Sequence, residues 1–335
     1  MILILSEEGD ITTNEVMDWL AFYRLPYLRI NEEDRIQLDR FSISEKGDLA
    51  FTIRLHRHLL HSADITGFFY RRGFFLFNLK VPKSNDQKIQ TDLRNHIRQD
   101  ALDLNEFVAI MLESGVAHIG EYRLHRVNKL TTLKMAAECG LLIPPTYLSE
   151  NLPQIAALLE QEGSLISKGI SDTFSSDSLQ LGVNITGYTT KVSRADIESS
   201  SPALAVTLFQ KEIEKLLEVR SFYLRGRFYS MAIISQQNQK TQTDYRQYDR
   251  EHPNRNVPFQ LPAQVEQNLQ QLMDRLELST GSIDLIVDKD EKYYFLEVNP
   301  VGQFGGLSDT CNYQLEKRIA EYFYGSEQNN GRRNL

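Results

Sequence analysis

Three oxygen-bearing side chains near the C-terminus have the types and the spacing of a metal site. Asp284 lies in one strand-like segment, and Glu297 and Asn299 lie in the next, which is aromatic and β-branched. If the charged run 289–292 is the loop between them, Asp284 lies opposite Glu297, and a period of two puts Asn299 on the same face as Glu297. Facing carboxylates with Cβ atoms about 5 Å apart repel each other, so we expect a cation between them.

The donor set indicates which cation this is. Two carboxylates and an amide, with no His or Cys nearby, favour Mg²⁺, whose remaining ligands are usually water and substrate phosphates. The hairpin therefore predicts the metal end of a nucleotide site. The alternative is a solvent-exposed hairpin with scattered charges, because a slip of one residue would separate the three groups.

Basic residues earlier in the chain would suit the phosphates of such a nucleotide. Lys129 begins a predicted helix, and Lys168 lies in a strand among apolar residues, where an unpaired lysine is costly. Arg220 projects from a predicted strand, and Arg246 lies in the polar segment 236–256, a predicted long loop. A guanidinium makes fixed, bidentate contacts with phosphate. For each residue the alternative is an ordinary surface or strand-edge position whose charge reaches water.

Two further segments are candidates for ligand contact. One is an extended polar segment that leaves a strand, where exposed backbone and an amide or carboxyl side chain would suit the edge of an adenine. Its residues are Gln210, Lys211, Glu212 and Ile213. The other is the pair Arg71 and Arg72 after a buried strand, because a strand end faces the ligand crevice of α/β sheets and would suit an anionic substrate. A plain strand end is the alternative for both.

The composition is that of an ordinary soluble globular protein. The 335 residues are 41% hydrophobic and 24% charged, enough for two or three modules. The net charge of −8 argues against a nucleic-acid partner, which normally requires a basic excess. The two cysteines, Cys139 and Cys311, fit a reducing cytoplasm. Without a signal-like N-terminus or an apolar run of transmembrane length, we expect a cytoplasmic protein with no membrane partner.

Apolar periodicity predicts three parts and a tail. They are an N-terminal α/β domain at 1–120, a central part at 121–201, a C-terminal part at 202–326 and a polar tail at 327–335. The predicted helices cover 14–22 with Thr13 or Asn14 as cap, 86–113, 128–139 with Asn128 as cap, and 263–276. The serine-rich segment 171–178 is predicted to be a mobile loop.

The chain as a whole resembles the ATP-grasp superfamily and, within it, the graspetide synthetases, which are the peptide maturases of microviridin-type and grasp-with-spasm systems. The resemblance covers nearly the whole chain. The matching motifs are Tyr70-Arg71-Arg72, Asn128-Lys129, Gly140-Leu141-Leu142-Ile143-Pro144, Phe209-Gln210, Glu218-Val219-Arg220, Asp244-Tyr245-Arg246, Gly281-Ser282-Ile283-Asp284 and Glu297-Val298-Asn299-Pro300-Val301-Gly302-Gln303-Phe304. The last of these motifs and the Asp–Glu–Asn set are the most specific.

The chain departs from the family pattern in two places. Many ATP-grasp ligases have a glycine-rich loop where this chain has the glycine-free segment 171–178, and the peptide maturases share that departure. The segment after the hinge strand reads Gln210-Lys211-Glu212-Ile213, whereas many relatives have an acidic second residue, so the position that contacts adenine is open by one residue.

The resemblance implies an α/β (α+β) ATP-grasp fold, in which an N-terminal pre-ATP-grasp domain precedes two subdomains that sandwich ATP. It implies an ADP-forming ligase that uses ATP and Mg²⁺, with two metal ions expected. The substrate would be a precursor peptide with a leader and a core rich in Thr/Ser and Asp/Glu, whose side-chain carboxylates become acyl phosphates and then ω-esters or ω-amides. A homodimer is one oligomeric state that the resemblance allows.

The resemblance also assigns roles to the candidate residues. Asp284, Glu297 and Asn299 would hold Mg²⁺, Lys129 and Lys168 the α and β phosphates, Arg220 the γ-phosphate and acyl phosphate, Arg246 the reacting end of the peptide, and Gln210, Lys211, Glu212 and Ile213 the adenine. Two other functions stay open. The chain would be either another ATP-grasp carboxylate–amine ligase, acting on a protein tail or a small molecule, or a non-catalytic peptide-binding module that depends on nucleotide.

Overall fold

The computed structural model describes residues 1–171, 175–178, 183–186, 189–200, 204–235 and 254–333. Arg246 and most of the predicted long loop lie outside the described residues. By their contacts the residues form two compact units: unit 1 comprises Met1–Arg126, Leu278–Thr280 and Pro300–Leu335, and unit 2 comprises Val127–Glu277 and Gly281–Asn299. The three-part division expected from the sequence stays a prediction.

The described residues form strands and helices that alternate along the chain. The strands are β1 (Ile2–Ser6), β2 (Tyr27–Asn31), β3 (Arg35–Ile43), β4 (Leu49–Leu55), β5 (His58–His61), β6 (Gly67–Tyr70), β7 (Leu76–Phe77), β8 (Ala117–Ile119), β9 (Thr146–Ser149), β10 (Leu165–Lys168), β11 (Ser175–Ser178), β12 (Val183–Thr186), β13 (Thr190–Val192), β14 (Thr207–Lys211), β15 (Lys215–Leu224), β16 (Arg227–Ile234), β17 (Arg255–Phe259), β18 (Thr280–Asp288) and β19 (Tyr293–Asn299). The helices are α1 (Ile11–Phe22), α2 (Gln87–Gly115), α3 (Lys129–Glu138), α4 (Leu152–Glu162), α5 (Arg194–Ser199), α6 (Ala263–Arg275), α7 (Gly305–Cys311) and α8 (Leu315–Arg333).

Unit 1 is built on a parallel sheet of strand order β2-β1-β6-β8. Strand β1 is buried along its whole length, as its continuous apolar run requires in a sheet covered on both faces. A second sheet, of order β5-β4-β3-β7, and helix α2 share a hydrophobic core with it. Within the described residues, no helix combines the length and apolar character needed to cross a bilayer.

The predicted cap of the first helix was wrong. Helix α1 begins at Ile11, and Asp10 is its N-cap, accepting a hydrogen bond from the Thr13 backbone N–H at 3.0 Å. Asp10 is only 3% exposed, because Arg71 neutralises its charge. With Asp10 as cap, the helix begins three residues before the start that the apolar pattern predicts. Helix α2 agrees with its predicted bounds to within two residues.

Unit 2 contains an antiparallel sheet of order β13-β10-β14-β9 and a five-stranded sheet of order β17-β16-β15-β18-β19. In the second sheet β16 pairs antiparallel with β15 and β17, and β18 pairs antiparallel with β19. The predicted capping of helix α3 is confirmed, since the Asn128 side chain accepts from the Thr131 backbone N–H at 3.0 Å. Gly140, just past its end, has φ +80°, a backbone angle that a glycine adopts without strain.

The predicted loop at 171–178 was wrong for its second half. Ser175–Ser178 forms β11, which pairs antiparallel with β12. Serine and aspartate have low strand propensity, but pairing in a ladder gives the backbone its hydrogen bonds, and this overrides the intrinsic preference. The two cysteines are free and buried, as expected for core positions.

Candidate active site

The hairpin of β18 and β19 places the predicted metal ligands in the expected register. Asp284 pairs with Glu297 and Ser282 pairs with Asn299. The loop is longer than predicted, because Val287 rather than Asp288 pairs with Tyr293. A β-bulge beside Asp284 then absorbs the extra residue and brings the carboxylates back into opposition.

Each of these carboxylates has a basic partner in unit 2. The Lys129 Nζ lies 2.9 Å from the Glu297 Oε2, and the Arg220 Nη1 lies 3.5 Å from the Asp284 Oδ1. All four side chains are between 20% and 24% exposed, so they face a partly open site rather than bulk solvent. Two of the predicted phosphate-binding residues are therefore brought to the predicted metal ligands.

Lys129 reaches Glu297 because helix α3 is tied to strand β19. After the helix ends, the Leu142 carbonyl accepts a hydrogen bond from the Phe295 N–H at 2.8 Å, and Leu142 forms a parallel bridge with Tyr294. Lys129 is the first residue of α3, where backbone N–H groups and the helix dipole favour an anion. The start of the helix thus adds positive potential beside the carboxylate pair.

The donor set fits magnesium that is completed by a substrate. In the part of the chain that the structure describes, no group of three or more His, Cys, Asp or Glu could hold a metal ion by itself. Two facing carboxylates and the exposed amide of Asn299 would fill only part of an octahedral coordination shell. The remaining coordination positions would be taken by water and phosphate oxygens. Zinc or iron would require nitrogen or sulfur ligands, and no such side chain belongs to this hairpin.

The predicted adenine segment lies on the other sheet of unit 2. Strand β14 pairs with β10 so that Leu208 is opposite Lys168. The Gln210 side chain is fully buried; its Nε2 donates to the Thr146 Oγ1 at 2.9 Å, and that hydroxyl donates to the Pro144 carbonyl at 2.8 Å. This relay fixes the orientation of the amide. The Gln210 Oε1 is left buried, with no hydrogen-bond partner among the described residues.

The next two residues of that segment bind the protein itself. The Lys211 Nζ lies 3.4 Å from Glu162. Glu212 lies 2.6 Å from the Lys191 Nζ and accepts from the Ser164 hydroxyl. Burial alone would raise the pKa of Glu212, but these two hydrogen bonds and the Lys191 charge together lower it. Glu212 is therefore an anion already held in place by its neighbours.

No family model and no curated protein matches this sequence, whereas solved structures match it over its length. An ATP-grasp ligase of Chryseobacterium gregarium, RiPP-associated and in complex with ADP and a leader and core peptide, has a TM-score of 0.77 and 24% identity, covering 96% of this chain and 95% of that one. The macrocyclase MdnC of Microcystis aeruginosa MRC, bound with precursor peptide MdnA, has a TM-score of 0.76 and 25% identity, covering 97% and 100%. The ATP-grasp ligase PsnB with minimal precursor, Mg and ADP has a TM-score of 0.69 and 14% identity, covering 98% of both chains.

The chain has the ATP-grasp fold. The fold class expected from the sequence, mixed α/β with several sheets, is confirmed by these matches. Strands β18 and β19, with Asp284 and Glu297, belong to the five-stranded sheet of unit 2, and Gln210 belongs to the four-stranded sheet.

A buried ion pair of unit 2 was missed by the sequence reasoning. The Lys215 Nζ lies 2.5 Å from the Glu218 Oε1, which also accepts from the Ser235 hydroxyl at 3.2 Å. Both charged side chains are less than a tenth exposed. Residues three apart in a regular strand point to opposite faces, so the spacing gave no signal of a pair. Glu218 precedes Arg220 by two residues on β15 and therefore shares its face.

Glu218→Gln is expected to change the pH dependence of stability. Burial raises the pKa of Glu218; Lys215 lowers it, and Asp284 raises it further. Because the folded pKa lies above the unfolded value of about 4.3, this group makes the fold less stable as pH rises between the two values. The variant lacks that loss, so its Tm relative to wild type should rise as the pH increases from about 4.3 through the raised pKa of Glu218. The exposed Glu214→Gln is the control, and a Tm difference that falls over this range would contradict the prediction.

Arg71 and Arg72 lie in unit 1 and have different surroundings. Arg71 is 3% exposed and lies against Asp10, Val301 and Gln303, whereas Arg72 is 22% exposed on its side chain and binds Glu7 at 2.6 Å. Their predicted role in substrate binding stays a prediction.

Proposed function

We propose that this chain is an ATP-dependent peptide maturase that links side chains of a ribosomally made precursor peptide. The observation that carries the proposal is the opposition of Asp284 and Glu297, each beside a cation, in a fold shared over nearly its full length with ligases solved with peptides. The chain covers those structures almost completely, so no large part of their architecture lacks a counterpart here.

Different residues of the site would bind different parts of the nucleotide. Asp284, Glu297 and Asn299 would hold Mg²⁺, which neutralises phosphate charge when bound. Lys129 and Lys168 would bind the α and β phosphates, and Arg220 the γ-phosphate. Arg246 is proposed to contact the reacting end of the peptide, and it lies outside the described residues.

The reaction has two steps. A side-chain carboxylate of the precursor attacks the γ-phosphorus of ATP, which forms an acyl phosphate and releases ADP. A hydroxyl or amine of the same peptide then attacks the acyl carbon, and phosphate leaves with the formation of an ester or amide and the loss of one proton. Positioning and charge neutralisation supply most of the catalysis in such transfers, which is consistent with a site rich in lysine and arginine.

The partner and setting follow from the same chemistry. The precursor would carry a leader and a core with Thr/Ser and Asp/Glu, because the reaction joins a hydroxyl or amine to a carboxylate. The cytoplasm is the proposed compartment, because both cysteines are free and buried. A homodimer is the proposed oligomeric state to be checked by light scattering.

The function is tested by incubating the enzyme with ATP, Mg²⁺ and a short precursor peptide encoded beside it. We expect one water mass to be lost from the peptide per ring and one ADP to form per ring. A gain of mass would instead indicate ligation of a second molecule, as in a carboxylate–amine ligase. Peptide binding without ADP formation would indicate a non-catalytic module and would overturn the proposal.

Gln210→Met is expected to raise the KM for ATP about tenfold with little change in kcat. The Oε1 of the fixed amide is buried and has no donor among the described residues, and the 6-amino group of adenine would supply one hydrogen bond there. Steady-state kinetics with varied ATP measure the effect. Gln161→Met, on the exposed end of α4, is the control, and an unchanged KM in Gln210→Met would show that this oxygen does not contact the base.

A further inference from the structure

The parallel sheet of unit 1 has a place where a ligand would be expected. Strand β1 lies between β2 and β6, so the order in which the chain adds strands to the sheet reverses beside β1. In parallel sheets of this kind, ligands bind at the carboxyl ends of the strands where the order reverses. Asp10 follows β1 and Arg71 follows β6 at this edge. The space beside these side chains is taken by the chain itself, through the segment Val301 to Phe304.

Arg71 makes all of its contacts there with protein groups. Its Nη1 donates to the Val301 carbonyl at 2.6 Å and its Nη2 to the Gln303 Oε1 at 3.1 Å. Its Nε lies 3.0 Å from the Asp10 Oδ2, in an ion pair without a linear hydrogen bond. The guanidinium carbon lies 5.4 Å from the centre of the Phe304 ring. Both terminal nitrogens and the Nε of the guanidinium are thus directed at acceptors of unit 1.

The charge of Arg71 is kept in spite of its burial. Burial lowers the pKa of Arg71 to about 10, against the raising effect of Asp10, so the guanidinium stays protonated near neutral pH. Burial raises the pKa of Asp10, but Arg71, Thr12, Thr13 and Arg72 together lower it below the usual range. The pair is therefore charged, and both of its members are fixed by neighbours. Only the planar fork of an arginine can meet the Val301 and Gln303 oxygens and Asp10 together.

The segment held by Arg71 directly follows the predicted magnesium ligand Asn299. Val301 is two residues beyond Asn299, the last residue of β19, and two residues span at most about 7 Å of chain. Fixing the Val301 carbonyl therefore restricts the backbone from which the Asn299 side chain projects. We propose that Arg71 is a positioning residue for the magnesium-binding end of β19, acting through Val301 and Gln303. This inference rests on the proposed function, since it requires Asn299 to hold the metal.

The test compares two arginines of unit 1. Arg71→Lys keeps the charge and removes the fork, whereas Arg54→Lys is the control, because Arg54 is 42% exposed on its side chain and pairs with Asp39, which has no part in the contacts of Arg71. We expect Arg71→Lys to raise the Mg²⁺ concentration for half-maximal ADP binding, measured by calorimetry, by about tenfold or more. In the metal-free protein, amide hydrogen exchange in 301–304 should become faster in Arg71→Lys alone.

A second variant keeps the test decisive if Arg71→Lys does not fold. Gln303→Ala removes one acceptor of Arg71 at an exposed position, so the fold should persist, and the Mg²⁺ requirement should rise in the same direction by a smaller factor. If Arg71→Lys and Gln303→Ala both keep the wild-type Mg²⁺ requirement, the inference is overturned while the proposed function stands. If the wild-type protein itself shows no Mg²⁺-dependent ADP binding, the proposed function and this inference both fall.

Discussion

Glu297→Gln should lower the rate of ADP formation with precursor peptide at least about a thousandfold. The amide keeps the shape of the side chain and removes the charge that, with the opposite Asp284, would hold Mg²⁺. The side chain is 24% exposed and pairs with Lys129 at 2.9 Å, so the loss of this partly exposed ion pair should change the free energy of unfolding by no more than about 1 kcal/mol. A coupled assay for ADP and a thermal melt of the same sample measure both quantities.

The matched control lies in the same hairpin. Asp290→Asn removes a carboxylate from the exposed loop between β18 and β19, where it pairs with Lys292 at 3.3 Å, so its turnover should stay within about twofold of wild type. If Glu297→Gln keeps more than about a tenth of the wild-type rate, the carboxylate is not needed for metal binding and the site must be sought elsewhere.

The register of this hairpin shows what the sequence can predict. The two strands were recognisable from their composition, and the opposition of Asp284 and Glu297 is confirmed. The loop length behind that prediction was wrong by one residue, and the bulge beside Asp284 compensates for it. A bulge is a local departure from period two that alternation of apolar and polar residues does not encode.

Contacts between distant parts of the chain explain what the sequence could not predict. Arg71 and Val301 are 230 residues apart, and nothing in either segment indicates the other. The arginine pair suggested a ligand crevice, but the structure fills the surroundings of Arg71 with the chain's own carbonyl and amide oxygens. Asp10 was missed as a helix cap for the same reason, because its burial depends on Arg71. The Lys215–Glu218 pair was missed because residues three apart in a regular strand point to opposite faces, so their spacing does not indicate a contact.

Arg220→Lys is expected to lower kcat about a hundredfold and to change the KM for ATP much less. In the structure Arg220 lies 3.5 Å from Asp284, a long contact that a bound phosphate would compete for. A planar guanidinium can contact two oxygens of a transferring phosphoryl group, whereas an ammonium presents a point charge on a flexible stem. The effect should therefore fall on the transition state, where phosphoryl charge is greatest, and rapid-quench measurement of the first turnover would locate it there.

The control and the coupling experiment separate this role from simple pairing with Asp284. Arg227→Lys changes an exposed arginine at the turn between β15 and β16 and should leave kcat within about twofold. If Arg220 serves only to neutralise Asp284, the double variant with Asp284→Asn should recover activity relative to Asp284→Asn alone. We expect no recovery, because each residue would act on a different part of the bound nucleotide: Asp284 on the metal and Arg220 on the γ-phosphate. Recovery in the double variant would show that Arg220 only neutralises Asp284. Other residues would then have to bind the transferring phosphoryl group.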